Sequence, residues 1–94
     1  MRLKKGSQIA YIPNHADGDI NHKDVQYGFV MSVKPNGIFC RFFTNKKGGF
    51  LRTTANSELC SEENLVECET YSNEFIAKLI KSIEYEIEHF RGRE

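Results

Sequence analysis

The hydrophobic pattern of this chain changes period near residue 72, and that change limits the folds open to it. Before it the period is two. Val25, Tyr27, Phe29, Met31 and Val33 alternate with Gln26, Gly28, Val30, Ser32 and Lys34, the mark of a strand with one buried face. After it the period is 3.6. Phe75, Ile76, Leu79, Ile80, Ile83, Ile87 and Phe90 form one apolar stripe on an amphipathic helix. Strands followed by one helix in 94 residues predict an α+β fold in a single domain, 1–94, since a chain this short supports one small core.

The punctuation supplies the remaining elements. Ile9-Ala10-Tyr11-Ile12 is a short strand stopped by Pro13, which has no N–H to give a ladder. Residues 13–24 are rich in Asn, Asp, His and Gly and read as a loop. Lys34-Pro35-Asn36-Gly37 is a hairpin turn, after which Ile38–Phe43 returns antiparallel. Asn45–Gly49 makes a second turn into a strand at Phe50–Thr53. Polar Thr54–Ser57 leads to Glu58-Leu59-Cys60. Ser61–Asn64 is a tight helical turn, and Leu65–Cys68 closes the β part. The helix spans 72–91, with Ser72 or Thr70 as N-cap and Glu74 favoured by the dipole in its first turn.

Five short strands, one long hairpin and a helical turn before the last strand resemble an SH3-like small barrel of the Tudor or KOW layout. The residues carrying the likeness are Gly28–Val33, Ile38–Phe42 and Ser61–Val66. The resemblance implies a five-stranded antiparallel SH3-like barrel over 6–68 with a C-terminal amphipathic helix packed on it. The string His15–His22 followed by Tyr27-Gly28-Phe29-Val30 is also similar to small bacteriophage and prophage proteins. That likeness implies a cytoplasmic setting in a bacterial host cell.

Charge is the next constraint. Lys plus Arg and Asp plus Glu are 13 each, so the net charge is zero and a uniformly basic nucleic-acid binder is excluded. The distribution is uneven, however. Residues 1–52 carry nine cations against three anions, and 53–94 carry four against ten, so the two parts stand at +6 and −6. No apolar run approaches the ~20 residues of a membrane span, and no signal-peptide core is expected. Three cysteines, Cys40, Cys60 and Cys68, without a CxxC pair argue against a disulfide framework or a structural zinc site. Cys40 lies in an apolar run that keeps a thiol protonated. No local pattern joins a nucleophile, a base and an orienting acid, so no enzyme and no cofactor are expected.

Three segments are candidate sites. The loop holds His15, Asp17, Asp19, His22 and Asp24. Asp17-x-Asp19-x-Asn21 has the opening of a calcium loop, but His22 stands where Gly is required and Gly28 where Glu is required, so that motif fails. Two readings remain: a transition-metal site from His15, His22 and one carboxylate, or a polar loop capping its own turns. The expectation adopted is the polar loop, with no metal. Such a loop on a rigid scaffold is a protein-binding candidate, together with Glu84 and Glu88 on the acidic flank of the helix. The third segment, residues 41–52, interleaves Arg41, Lys46, Lys47 and Arg52 with three Phe, a chemistry that neutralises phosphate and stacks bases. The preferred function is non-catalytic: a phage-derived accessory protein or host-directed inhibitor acting on a host or phage protein. The alternative is a nucleic-acid binding barrel using the four cations. The chain is a monomer, or a homodimer through its helix stripe.

Overall fold

The computed structural model describes residues 3–44 and 52–90. Among the described residues there are five strands: β1 (Gln8–Tyr11), β2 (Gln26–Lys34), β3 (Gly37–Phe42), β4 (Glu58–Cys60) and β5 (Leu65–Glu67). Short 3-10 helices cover Asn14–Ala16 and Glu62–Asn64, and the helix α1 runs Asn73–Phe90. The strands make one antiparallel sheet in the order β4-β3-β2-β1-β5. The fold is thus α+β, a five-stranded antiparallel sheet with a C-terminal helix.

The sheet is open, which corrects the expectation of a closed barrel. β4 and β5 are its two edges and form no ladder with each other. Four inter-strand spacings of ~4.8 Å would separate them by ~19 Å in a flat sheet. The short connection through the Glu62–Asn64 turn, at ~2 Å rise per residue, reaches less far, so the sheet curls. A turn placed between the edges brings them near without pairing them. Among the described residues the strand that follows β3 is Glu58–Cys60, and the one expected at Phe50–Thr53 lies partly beyond them. Residues 50–51 lie outside the described residues, and Thr53 contributes an isolated bridge to Phe43.

The curled sheet is buried on both faces. Ile9, Val30, Ile38, Cys40, Phe42, Cys60 and Leu65 fill its inner side. Phe29 meets Ile76, Ile80 and Ile83 of α1 on the outer side, with Met31, Phe43, Tyr71, Leu79 and Ile87 around them. Neighbours Phe29 and Val30 therefore serve different cores, and the one-sided reading of β2 is corrected. Tyr27 and Val33, expected inside, are 36% and 49% exposed. The cause at Val33 is an irregularity: Val30 pairs with Cys40, but Ser32 pairs with Phe39. An extra residue at Met31 moves everything after it to the other face.

Each isoleucine that α1 buries contributes ~1.5–3 kcal/mol, so the helix is held by its own sheet. Its start is set by Ser72, whose Oγ accepts the Phe75 N–H at 3.1 Å and whose carbonyl accepts the Ile76 N–H at 3.1 Å. The segment before it is clamped by Gln8, 5% exposed. Gln8 Oε1 accepts from the backbone N–H groups of Thr70 (3.0 Å) and Tyr71 (2.9 Å), while its Nε2 donates to the Tyr71 carbonyl and to Asn73 Oδ1. All four hydrogen-bonding capacities of a buried amide are thereby used. Gly28 permits the close approach of β2 and β3, since a Cβ there would lie 2.0 Å from the Arg41 carbonyl oxygen.

Candidate functional site

The connection from β1 to β2, residues 12–25, is long for a domain this size. Loops of such length are commonly functional or disordered; this one is built. Ala16 N–H donates to Pro13 O, and Asp17 N–H to Asn14 O. Asp17 then takes the left-handed conformation (φ 55°) and Gly18 follows (φ 81°). Three further turns carry the chain on: Asp19 N–H to Ala16 O, His22 N–H to Asp19 O and Val25 N–H to His22 O. Asp19 Oδ1 caps the Asn21 N–H at 2.9 Å. Burial of Ala16, 4% exposed, anchors the loop from inside. From outside, Asn64 Nδ2 donates to Ile12 O (2.9 Å) and Asn14 Oδ1 (2.8 Å), tying the loop to the turn before β5.

With its backbone so employed, the loop turns its charged groups outward. Three of them converge. His15 Nε2 lies 2.7 Å from Asp24 Oδ2, and His22 Nδ1 lies 3.9 Å from the same oxygen. The Asp24 N–H donates to His22 Nδ1 at 3.0 Å. The two imidazole rings meet edge to face, 5.3 Å apart at 78°. The donor atoms of His15, His22 and Asp24 all fall within 4.8 Å of one another. The hydrogen bond from His15 holds the Asp24 carboxyl below the usual carboxylate range; desolvation opposes this, and the nearby His22, His15 and Lys23 charges assist it. Asp17 and Asp19 are exposed on the same loop but outside this trio.

The helix candidates belong to a separate element. Glu84 is ion-paired with Lys5, which joins the basic lead-in to the acidic helix and spends part of the charge asymmetry within the molecule. Glu88 is exposed, and nearby Tyr85 stacks on His89 with centroids 3.8 Å apart. The basic-aromatic segment looks different from its sequence. Arg41 pairs across the ladder with Phe29, is 7% exposed, and donates from Nη1 to the Thr54 carbonyl at 3.1 Å. Phe42 is buried in the inner core, and Phe43 packs against Phe29 and Tyr71. Arg52 is exposed; Lys46 and Lys47 lie outside the described residues.

One feature escaped sequence reasoning. Between the β2–β3 hairpin and β4 lies an open groove of about 950 Å³, with Leu3, Val33, Ile38 and Leu59 on its walls. Val33 reaches it only because of the irregularity at Met31, which no local pattern announces. Cys40 closes the inner core nearby. Its hydrogen-bonded contact with Cys60, together with burial, pushes its thiol well above the ordinary range, so it is a protonated core residue at neutral pH. Among the described residues no helix is long and apolar enough to cross a membrane.

In comparisons with known proteins, no family model, no curated protein and no solved structure matches this chain.

Proposed function

We propose that this chain is a non-catalytic binding protein that docks on a protein partner through the loop of residues 13–24, on a scaffold of SH3-like layout. The observation that carries the reading is the construction of the loop. Its backbone is consumed by its own turns and by Asn64, while His15, Asp17, Asp19 and Asp24 face solvent. A surface ordered before binding loses little entropy when a partner arrives. The layout is supported by β1 lying between β2 and β5, by the long β2–β3 hairpin and by the 3-10 turn before β5. The resemblance of His15–His22 and Tyr27–Val30 to small phage proteins is the ground for reading it as a phage-derived accessory protein or inhibitor directed at a bacterial host protein. The burial of Arg41 and the packing of Phe42 and Phe43 weigh against a nucleic-acid surface on the hairpin.

The test is affinity capture from bacterial lysate with the wild-type chain and with the double variant Asp17→Lys, Asp19→Lys. A partner retained by the wild type and lost from the variant is expected. Equal capture by both would remove the loop from the interface. A nucleic-acid gel shift at micromolar protein that fades steeply with salt would instead favour the hairpin cations.

A further inference from the structure

We propose that His15, His22 and Asp24 form a binding site for a divalent transition-metal ion of the zinc class, with a fourth position open to solvent. The inference goes beyond partner docking and does not need it.

The argument begins with a count of protons. His22 Nδ1 accepts the Asp24 backbone N–H at 3.0 Å, so that nitrogen carries a lone pair and no proton. It faces Asp24 Oδ2 at 3.9 Å, and a carboxylate oxygen is also an acceptor. Two electron-rich atoms are thus held opposite each other. In the trio, the polar hydrogen available between side chains is that of His15 Nε2, directed at the same oxygen from 2.7 Å. A cation seated among the three atoms takes a lone pair from each once the neutral His15 ring carries its hydrogen on Nδ1 in place of Nε2, and the carboxylate exchanges that hydrogen bond for the metal.

The spacing agrees. Zinc binds imidazole nitrogen at ~2.0–2.1 Å and carboxylate oxygen at ~2.0–2.2 Å, and tetrahedral angles then set the donors ~3.3 Å apart. The donor separations to Asp24 Oδ2, 2.7 and 3.9 Å, bracket that value, and the whole trio lies within 4.8 Å. His15 and Asp24 side chains are 63% and 46% exposed, free enough to close a remaining difference of at most ~1.5 Å from the tetrahedral spacing, while the turns of the loop fix their Cα positions. The donor chemistry selects the ion. Two imidazoles and one carboxylate suit zinc, cobalt, nickel or copper, whereas calcium and magnesium prefer shells of oxygen. Exposure on the solvent side leaves the fourth position to water.

The experiment is calorimetric titration of the untagged chain with zinc, repeated with calcium and magnesium. A 1:1 event with Kd in about the micromolar range is expected for zinc alone. Each of His15→Ala, His22→Ala and Asp24→Asn weakens it by more than the ~10–100-fold typical when an outer-shell partner is lost. His89→Ala and Cys68→Ser leave it unchanged, and the cobalt form lacks a sulfur-to-metal charge-transfer band. Circular dichroism reports that the variants, altered at surface positions, remain folded. The proposal is overturned if the wild-type chain shows no saturable zinc uptake. It is equally overturned if a variant combining His15→Ala, His22→Ala and Asp24→Asn binds as the wild type does, or if cobalt reports a thiolate ligand. Failure of lysate capture bears on the docking reading alone, since zinc is titrated into the isolated chain.

Discussion

Replacing Gln8 with leucine tests whether the junction between sheet and helix is held as described. The substitution keeps the volume and removes the amide. Two backbone N–H groups, those of Thr70 and Tyr71, lose their acceptor, and the Tyr71 carbonyl and Asn73 lose a donor. An unsatisfied buried donor costs ~1–3 kcal/mol. Thr70 is exposed and Tyr71 half-buried, so water recovers part of that penalty, and the two together come to about 2–3 kcal/mol. For a domain this size the loss lowers Tm by roughly 10–20 °C. Urea unfolding followed by circular dichroism measures it: the midpoint falls while the slope, which reports the surface exposed on unfolding, is unchanged. A loss below about 0.5 kcal/mol, the range of ordinary surface changes, would refute the clamp.

Other perturbations probe the rest of the account. Gly28→Ala places a Cβ 2.0 Å from the Arg41 carbonyl oxygen, which forces β2 and β3 apart. Denaturant unfolding is expected to show a loss at or above the ~1–3 kcal/mol of an overpacked core. Ile76→Ala, at a fully buried site between helix and sheet, costs ~2–5 kcal/mol in the same assay. Carbon NMR of the Asp24 carboxyl should show titration below the ordinary carboxylate value of ~3.9, and His15→Ala should move it upward. Because this carboxyl is depressed in the folded state, the stability it adds is present above the unfolded value and is lost as pH falls through the folded one.

Much of this fold can be read from the sequence because its signals are local. Alternation over 25–33 marks β2, Pro35 and Gly37 mark the hairpin, and the 3.6-residue stripe marks α1 with Ser72 at its start. What cannot be read depends on distant partners. Gln8 looks like an exposed polar residue until segments more than sixty positions away supply its partners. The irregularity after Val30 reverses the facing of Val33 without a glycine to announce it. Arg41 reads as a phosphate ligand, but it is buried and donates to the carbonyl of Thr54, thirteen positions away. The loop is intermediate. Its two histidines are plain in the sequence, whereas the carboxylate that joins them is Asp24; Asp17 and Asp19 stand apart because of the left-handed turn at Asp17 and Gly18. The +6 and −6 halves are likewise real as composition, yet they meet in the Lys5–Glu84 pair.

On the proposed function, the loop of residues 13–24 is the docking surface of this protein. Amide hydrogen exchange of the chain, alone and bound to its captured partner, tests that claim most directly. Added protection is predicted across residues 13–25, with the exposed face of α1 unchanged. Protection confined to α1, or to the groove beside β4, would contradict it.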